Sequence, residues 1–167
     1  ENRVVAISVD GEGKNPVIAE KNRLFDENEN MFDCEGITGI KHLKNGDLVV
    51  SHKDGITCLH KFKPAWDFPC ETGAENLFSD GLNIVFSDAL GKCYAIDHQG
   101  NLLFMPDNQS TLFISIGPQL AVADESGEVS LWSWSGEKIW QRPARGDIGE
   151  RITAIGWNND AIIIARE

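Results

Sequence analysis

Short apolar runs separated by glycine, asparagine and aspartate dominate the chain: ITGIKHL, DLVVS, ITCLHKF, NIVFS, KCYAI, NLLF, TLFISI, QLAVA, ITAIG and AIIIA. Each is rich in β-branched or aromatic residues and is bounded by turn formers, the pattern of a β-strand. No stretch keeps a helical period over a dozen residues, so the pattern predicts an all-β chain.

The runs also recur. Gly55, Gly91 and Gly127 lie 36 and 36 residues apart; LVVSHKDG, IVFSDALG and LAVADESG lead into them, and ITCLHKF, KCYAIDHQ and EVSLWSWS follow. After the last two a Gly turn opens an outer strand, GNLLF or GEKIW. Upstream of each repeat another strand meets a turn at Asn45-Gly46, Gly81-Leu82 or Gly117-Pro118. The unit is therefore four antiparallel strands, the signature of a β-propeller blade, and the chain is expected to hold about four blade equivalents.

Three blades are expected at 37–68, 74–105 and 109–142. ITAIG and AIIIA match the first two strands of a further blade, with Ala165 equivalent to Ala123. NRVVAISVDG, from Asn2 to Gly11, overlays GEVSLWSWSG, with Asn2 at the place of Gly127 and Gly11 at that of Gly136. Pairing VVAISV with AIIIA would remove an exposed apolar strand edge. The expectation is that 152–167 and 2–20 share one blade, with 22–33 as an acidic insertion. A slice of a larger propeller would show the same complementarity, and it could pair with a second copy as a homodimer.

Five tryptophans need a place. Trp132, Trp134 and Trp140 sit along and across one hairpin, and Trp132 and Trp134 share a face of their strand. Blades stack face to face, so these rings are expected to fill joints between blades. Trp66, in KPAWDFPC, reads as belonging to a connection and is a candidate partner-binding ring; Trp157 is a second ring that could serve as a stacking platform.

GKCYAIDHQGNLLF resembles the repeat of quinoprotein (PQQ-type) propellers, and GEVSLWSWSGEKIW resembles both that repeat and a WD-repeat blade. The resemblance implies a propeller whose loop faces bind partners. It does not extend to either family's site: no Gly-His pair opens a blade, Ser133 follows Trp132 where WD blades carry Asp, and Asp97 has Ser133 and Lys61 as its equivalents.

Composition narrows the partners. The 167 residues are 41% hydrophobic and 25% charged, the balance of a globular protein, and the formal net charge of −11 opposes nucleic acid. A basic protein fits such a field better. No apolar run reaches the length of a membrane helix, and the first residues carry no leader pattern. Cys34, Cys58, Cys70 and Cys93 lie 24, 12 and 23 residues apart without a CxxC pair, which suggests reduced thiols in a cytoplasmic protein.

Catalytic signals are thin. GEGKN lacks phosphate-loop spacing and reads as a hairpin turn; DENENMFD spaces oxygens like a calcium loop, but Ile37 stands where the closing Glu belongs. Cys58 and His60 form one close Cys/His pair with no second pair at zinc spacing. Asn108-Gln109-Ser110 is a glycosylation sequon, meaningful in a secreted chain. Asp88 and Asp124 occupy equivalent positions after a second strand, with His52 and Arg166 at the same place in the other blades. The resulting expectation is a noncatalytic scaffold that binds a protein through one loop face, using Trp66, His52, Asp88, Asp124 and Arg166, with no catalytic, cofactor or metal residue. The alternatives are a quinoprotein-like or other channel-site enzyme and a self-assembling propeller fragment.

Overall fold

Leu48-Val49-Val50, Ile84-Val85-Phe86 and Leu120-Ala121-Val122 break the alternation expected of a half-exposed strand, because each run is covered on both faces. In a computed structural model that describes residues 3–143 and 151–167, these runs are the second strands of successive four-stranded sheets. The first sheet holds β1 (Val4–Ser8), β2 (Val17–Glu20), β3 (Arg23–Asp26) and β4 (Met31–Asp33). The second holds β5 (Gly39–His42), β6 (Leu48–His52), β7 (Gly55–His60) and β8 (Lys63–Pro69). The third holds β9 (Ala74–Ser79), β10 (Asn83–Asp88), β11 (Cys93–Asp97) and β12 (Leu102–Phe104). The fourth holds β13 (Thr111–Ile116), β14 (Leu120–Asp124), β15 (Val129–Trp132) and β16 (Lys138–Arg142). A fifth, two-stranded sheet pairs β17 (Ile152–Asn158) with β18 (Ala161–Arg166).

Every pairing is antiparallel and sequential, and the first strands β1, β5, β9, β13 and β17 adjoin one another in that order. The sheets are therefore propeller-like blades stacked face to face. Bulges interrupt the first pairing in four of the sheets, at Val4/Ala6, Val85/Ser87, Thr111/Phe113 and Ile152/Ala154. A bulge adds local twist, which a stack of inclined sheets requires.

Each joint between sheets has a small side and a large side. β6 turns Val49 toward the third sheet, where it meets Ile84 and Phe86; β10 turns Val85 toward the fourth, where it meets Leu120 and Val122. Ala123 of β14 then meets Ile152, Ile155 and Ile164 of the fifth. The trailing face of each second strand is thus Val, Ala or Ser, and the leading face that packs on it is Leu, Ile, Val or Phe. Alternation across a doubly covered strand makes this possible, since odd and even residues answer to different neighbours.

Two expectations about the ends are corrected. Residues 152–167 and 2–20 do not share a blade: β1 pairs with β2 in register Ile7↔Ile18 and Ser8↔Val17, and β18 pairs with β17 alone among the described residues. Because β3 and β4 complete the sheet beyond β2, β1 becomes its first strand, and Ala6 packs with Val17, Ala19 and Leu24 against the second sheet. Residues 22–33 are not an insertion either, for they contain β3 and β4, which complete the first sheet. Their acidic letters belong to a turn: the Asp26 carboxylate accepts the Asn28 and Asn30 amides, both at 2.9 Å. Asn2 and Arg145, the latter the partner of Arg142 in a sparse basic pair, lie outside the described residues.

Candidate functional site

The turns between second and third strands, beginning at His52, Asp88 and Asp124, were the sequence's candidates, and the structure shows what those side chains do locally. Asp88 Oδ1 accepts the amides of Leu90 at 2.9 Å and Lys92 at 2.8 Å; Asp124 Oδ1 accepts those of Ser126 at 3.0 Å and Glu128 at 3.1 Å. His52 Nδ1 accepts the Asp54 amide at 3.3 Å, the same residue offset with an imidazole nitrogen in place of a carboxylate oxygen. Each side chain accepts amides of the turn that it opens. Asp88 also accepts from Thr72 Oγ1 at 2.9 Å and from the Tyr94 hydroxyl at 3.3 Å, and it is buried. Burial, with Asp88 beside it, pushes the Tyr94 hydroxyl up to about 12. Arg166 ends β18 at the matching place, opposite Ile152.

His52 continues into a relay. Thr57 Oγ1 donates to Asp67 Oδ1 at 2.6 Å, so it must accept from His52 Nε2 at 3.0 Å, and the Asp54 amide occupies Nδ1. The imidazole is therefore the neutral Nε2–H tautomer. Burial lowers its pKa, against the opposing pull of Asp54 and Asp67; burial also lowers that of His42, whose Nδ1 lies 3.0 Å from Ser8 Oγ. The unfolded chain thus binds more protons than the folded one as pH falls past about 6.5. Stability from these two histidines is complete above that pH and is lost on acidification through their folded values. The urea midpoint is expected to fall between pH 7.5 and 5.5, and the double variant His42→Asn, His52→Gln should flatten that fall; a flat wild-type profile would contradict the assignment.

The structure brings the Asp88 and Asp124 turns together around one backbone residue. The Thr111 amide donates to Gly91 O at 2.7 Å, and the Glu125 amide donates to Ser110 O at 3.1 Å. On either side of this seam lies an open polar cleft. One, of about 290 Å³, is bordered by Glu75, Asn76, Ser87, Asp88 and Glu125; the other, of about 480 Å³, by Asp107, Gln109, Asp124, Glu125 and Glu128. Asp107 is paired with Lys138 at 2.6 Å, whereas no ion pair among the described residues engages Glu75, Glu125 or Glu128. His52 sits a sheet away and does not line either cleft.

Glu75, Asp107, Glu125 and Glu128 were not singled out by sequence. The legible signal was the Asp-x-x-Gly turn itself, whose second residue is Glu125; Glu75 and Asp107 come from other segments and meet it in three dimensions.

Trp66 is not in a connection. It lies in β8 opposite Cys58, donates Nε1–H to His98 O at 3.2 Å and packs against the joint between second and third sheets. Gly100 makes room for it, since a Cβ there would stand 2.8 Å from the ring. Trp157 has the same role between the fourth and fifth sheets, donating to Ser115 O at 3.2 Å over Gly117. Trp132 is buried against Phe104 with Trp134 beside it, while Trp140 is exposed. Trp132 Nε1 donates to Ser130 Oγ, which donates to Asn108 Oδ1. Asn108 is 6% exposed and its side-chain nitrogen is buried, so the sequon amide faces into the fold.

Chemically, the clefts offer carboxylates and neutral acceptors and suit cationic groups. Burial pushes the Cys34 thiol up to about 11 and those of Cys58 and Cys93 to about 12, which leaves them protonated at neutral pH. Among the described residues no group of His, Cys, Asp and Glu is arranged to hold a metal ion, and no helix is long and apolar enough to cross a membrane.

No family model matches the chain, and no curated protein matches it. Among solved structures it is similar to the crystal structure of the computationally designed Ika4 protein, at 16% identity and a TM-score of 0.66, over 80% of this chain and 92% of that one. At that identity the likeness concerns the fold alone, and what it supports, with the sheet order above, is an all-β stack of propeller-like blades.

Proposed function

We propose that the chain is a noncatalytic propeller scaffold that binds a basic protein surface through the turns following its second strands. The supporting observation is the pair of acidic clefts around Ser110, where Glu75 stands on β9 and Glu125 and Glu128 on the Asp124-capped turn, none of them in an ion pair among the described residues. The Asp124-capped turn fixes the backbone that carries Glu125 and Glu128, so only their side chains are ordered when a lysine or arginine docks, and the −11 net charge steers such a partner toward them. The resemblance of the repeats to quinoprotein and WD-type blades favours a scaffold with interacting loop faces.

Binding should therefore be salt-sensitive and sited at the clefts. In an affinity capture with the wild-type chain as bait, partners that release between low and physiological salt are expected, and Glu125→Lys with Glu128→Lys should lose them while thermal unfolding stays unchanged. Capture that survives both charge reversals would place the partner elsewhere.

A further inference from the structure

The four joints inside the molecule all follow one rule, and two faces obeying that rule have no other sheet packed on them among the described residues. Ala6, Val17, Ala19 and Leu24 point from the first sheet toward the second, so Ile7, Ile18 and Phe25 point the opposite way. They form a row across β1, β2 and β3, in register Ile7↔Ile18↔Phe25, and Phe25 pairs onward with Met31 of β4. Ile7 is 63% exposed and Met31 60%.

At the other extreme, Ile152, Ile155 and Ile164 point toward the fourth sheet, which leaves Ala154, Gly156, Ile163 and Ala165 on the far side of β17 and β18. Ile163 holds the position of Val49, Val85 and Ala121, each fully buried in a joint, yet it is 54% exposed. Ala165 likewise stands where Ala123 is sealed.

The two faces differ in kind. The row on the first sheet is built of large side chains, like every leading face in the molecule; the face of the fifth sheet is built mostly of small residues, Ala and Gly with a lone Ile. Neither complements itself, and each complements the other, as the joints between Val85 and Leu120 or between Ala123 and Ile155 already demonstrate. Within the molecule the two faces belong to opposite extremes of the stack and share no sheet.

We infer that the face formed by Ala154, Gly156, Ile163 and Ala165 receives the Ile7–Ile18–Phe25 row of a second copy, so that two chains join head to tail through two identical joints. Such a contact is heterologous, and the inferred arrangement is the one in which each copy offers both of its faces to the other, not the one in which copies add on in an open row. It continues the internal blade-to-blade joint across a molecular boundary and needs no new chemistry.

Sedimentation equilibrium at about 100 µM, well above a micromolar dissociation constant, is expected to approach twice the 18.4 kDa chain mass. Ile163→Asp and Ile7→Asp, both at exposed positions and so compatible with folding, should each raise the dissociation constant by roughly 100-fold, because a carboxylate in the joint has no partner. An equimolar mixture of the two variants should regain some of the association, since one of its two joints pairs an intact row with an intact face. A wild-type monomer at 100 µM (about a hundredfold above a micromolar dissociation constant), or a dimer indifferent to both substitutions, overturns the inference.

Discussion

Gly55→Ala is expected to destabilise the protein by roughly 4 kcal/mol, a fall in Tm of about 10 °C for a chain of this size. Gly55 opens β7 at φ +134°, a conformation that side chains rarely adopt. A Cβ there would lie 2.2 Å from Phe68 O and 2.8 Å from the Cys70 amide nitrogen, both backbone atoms of the paired strand and its exit. Backbone cannot rotate away as a side chain can, so β7 and β8 would have to separate where Gly55 pairs with Pro69. Gly46→Ala is the control: its φ is +86°, but nothing lies within 4 Å of the added atom. That variant should cost only about 1 kcal/mol, the price of the left-handed backbone alone. Equal losses in the two variants, measured by urea unfolding, would mean that the contact with Phe68 is not the cause.

Phe86→Ala should cost about 3 to 5 kcal/mol. Its side chain is fully buried in the joint between second and third sheets, with its ring stacked on Tyr94 at 5.0 Å and 8° and met edge-on by Phe68 at 5.8 Å. Truncation removes a leading-face knob and leaves a cavity bounded by sheets that are tied to their other neighbours, so collapse around it is restricted. Phe86→Leu keeps most of the volume and should cost less than half as much. Near-ultraviolet circular dichroism should report the loss as well, because Tyr94 loses its stacking partner. A Phe86→Ala loss below about 1 kcal/mol would show that the joint repacks freely, which the interlocked faces do not permit.

These two positions also show how far one repeat can be read onto the next. Gly55, Gly91 and Gly127 align by spacing, but they do different things. Gly91 and Gly127 close turns capped by Asp88 and Asp124, at φ +77° and +83°; Gly55 sits inside a strand pair after a two-residue turn capped by His52. Spacing reports that a chain reversal recurs and is blind to which backbone geometry performs it. The same blindness placed Trp66 in a connection, since Pro64 and Pro69 flank it and look like loop residues. In fact they begin and end an outer strand, where a missing amide is tolerated on the free edge.

The acidic clefts were half legible. Asp88 and Asp124 stood out by recurrence, and the structure assigns them to capping; the carboxylates left facing the clefts are Glu75, Glu125 and Glu128, drawn from a first strand and from one turn. Nothing local marks Glu75, because its proximity to Glu125 arises from the stacking of two sheets.

What the amino-acid order determined by itself was the all-β class and the grouping in fours of the strands between 37 and 142. These are set by near-neighbour chemistry: turn formers at fixed spacing and side chains that alternate across a pleated strand. That β1 opens a sheet of its own was not legible, because VVAISV was expected as a third strand beside AIIIA and 22–33 as an insertion. Only the tertiary structure decided it: β2, β3 and β4 complete the sheet on one side of β1, and Ala6, Ser8 and Val17 of that sheet pack against the second one. The covered and uncovered faces of the stack follow from that one choice.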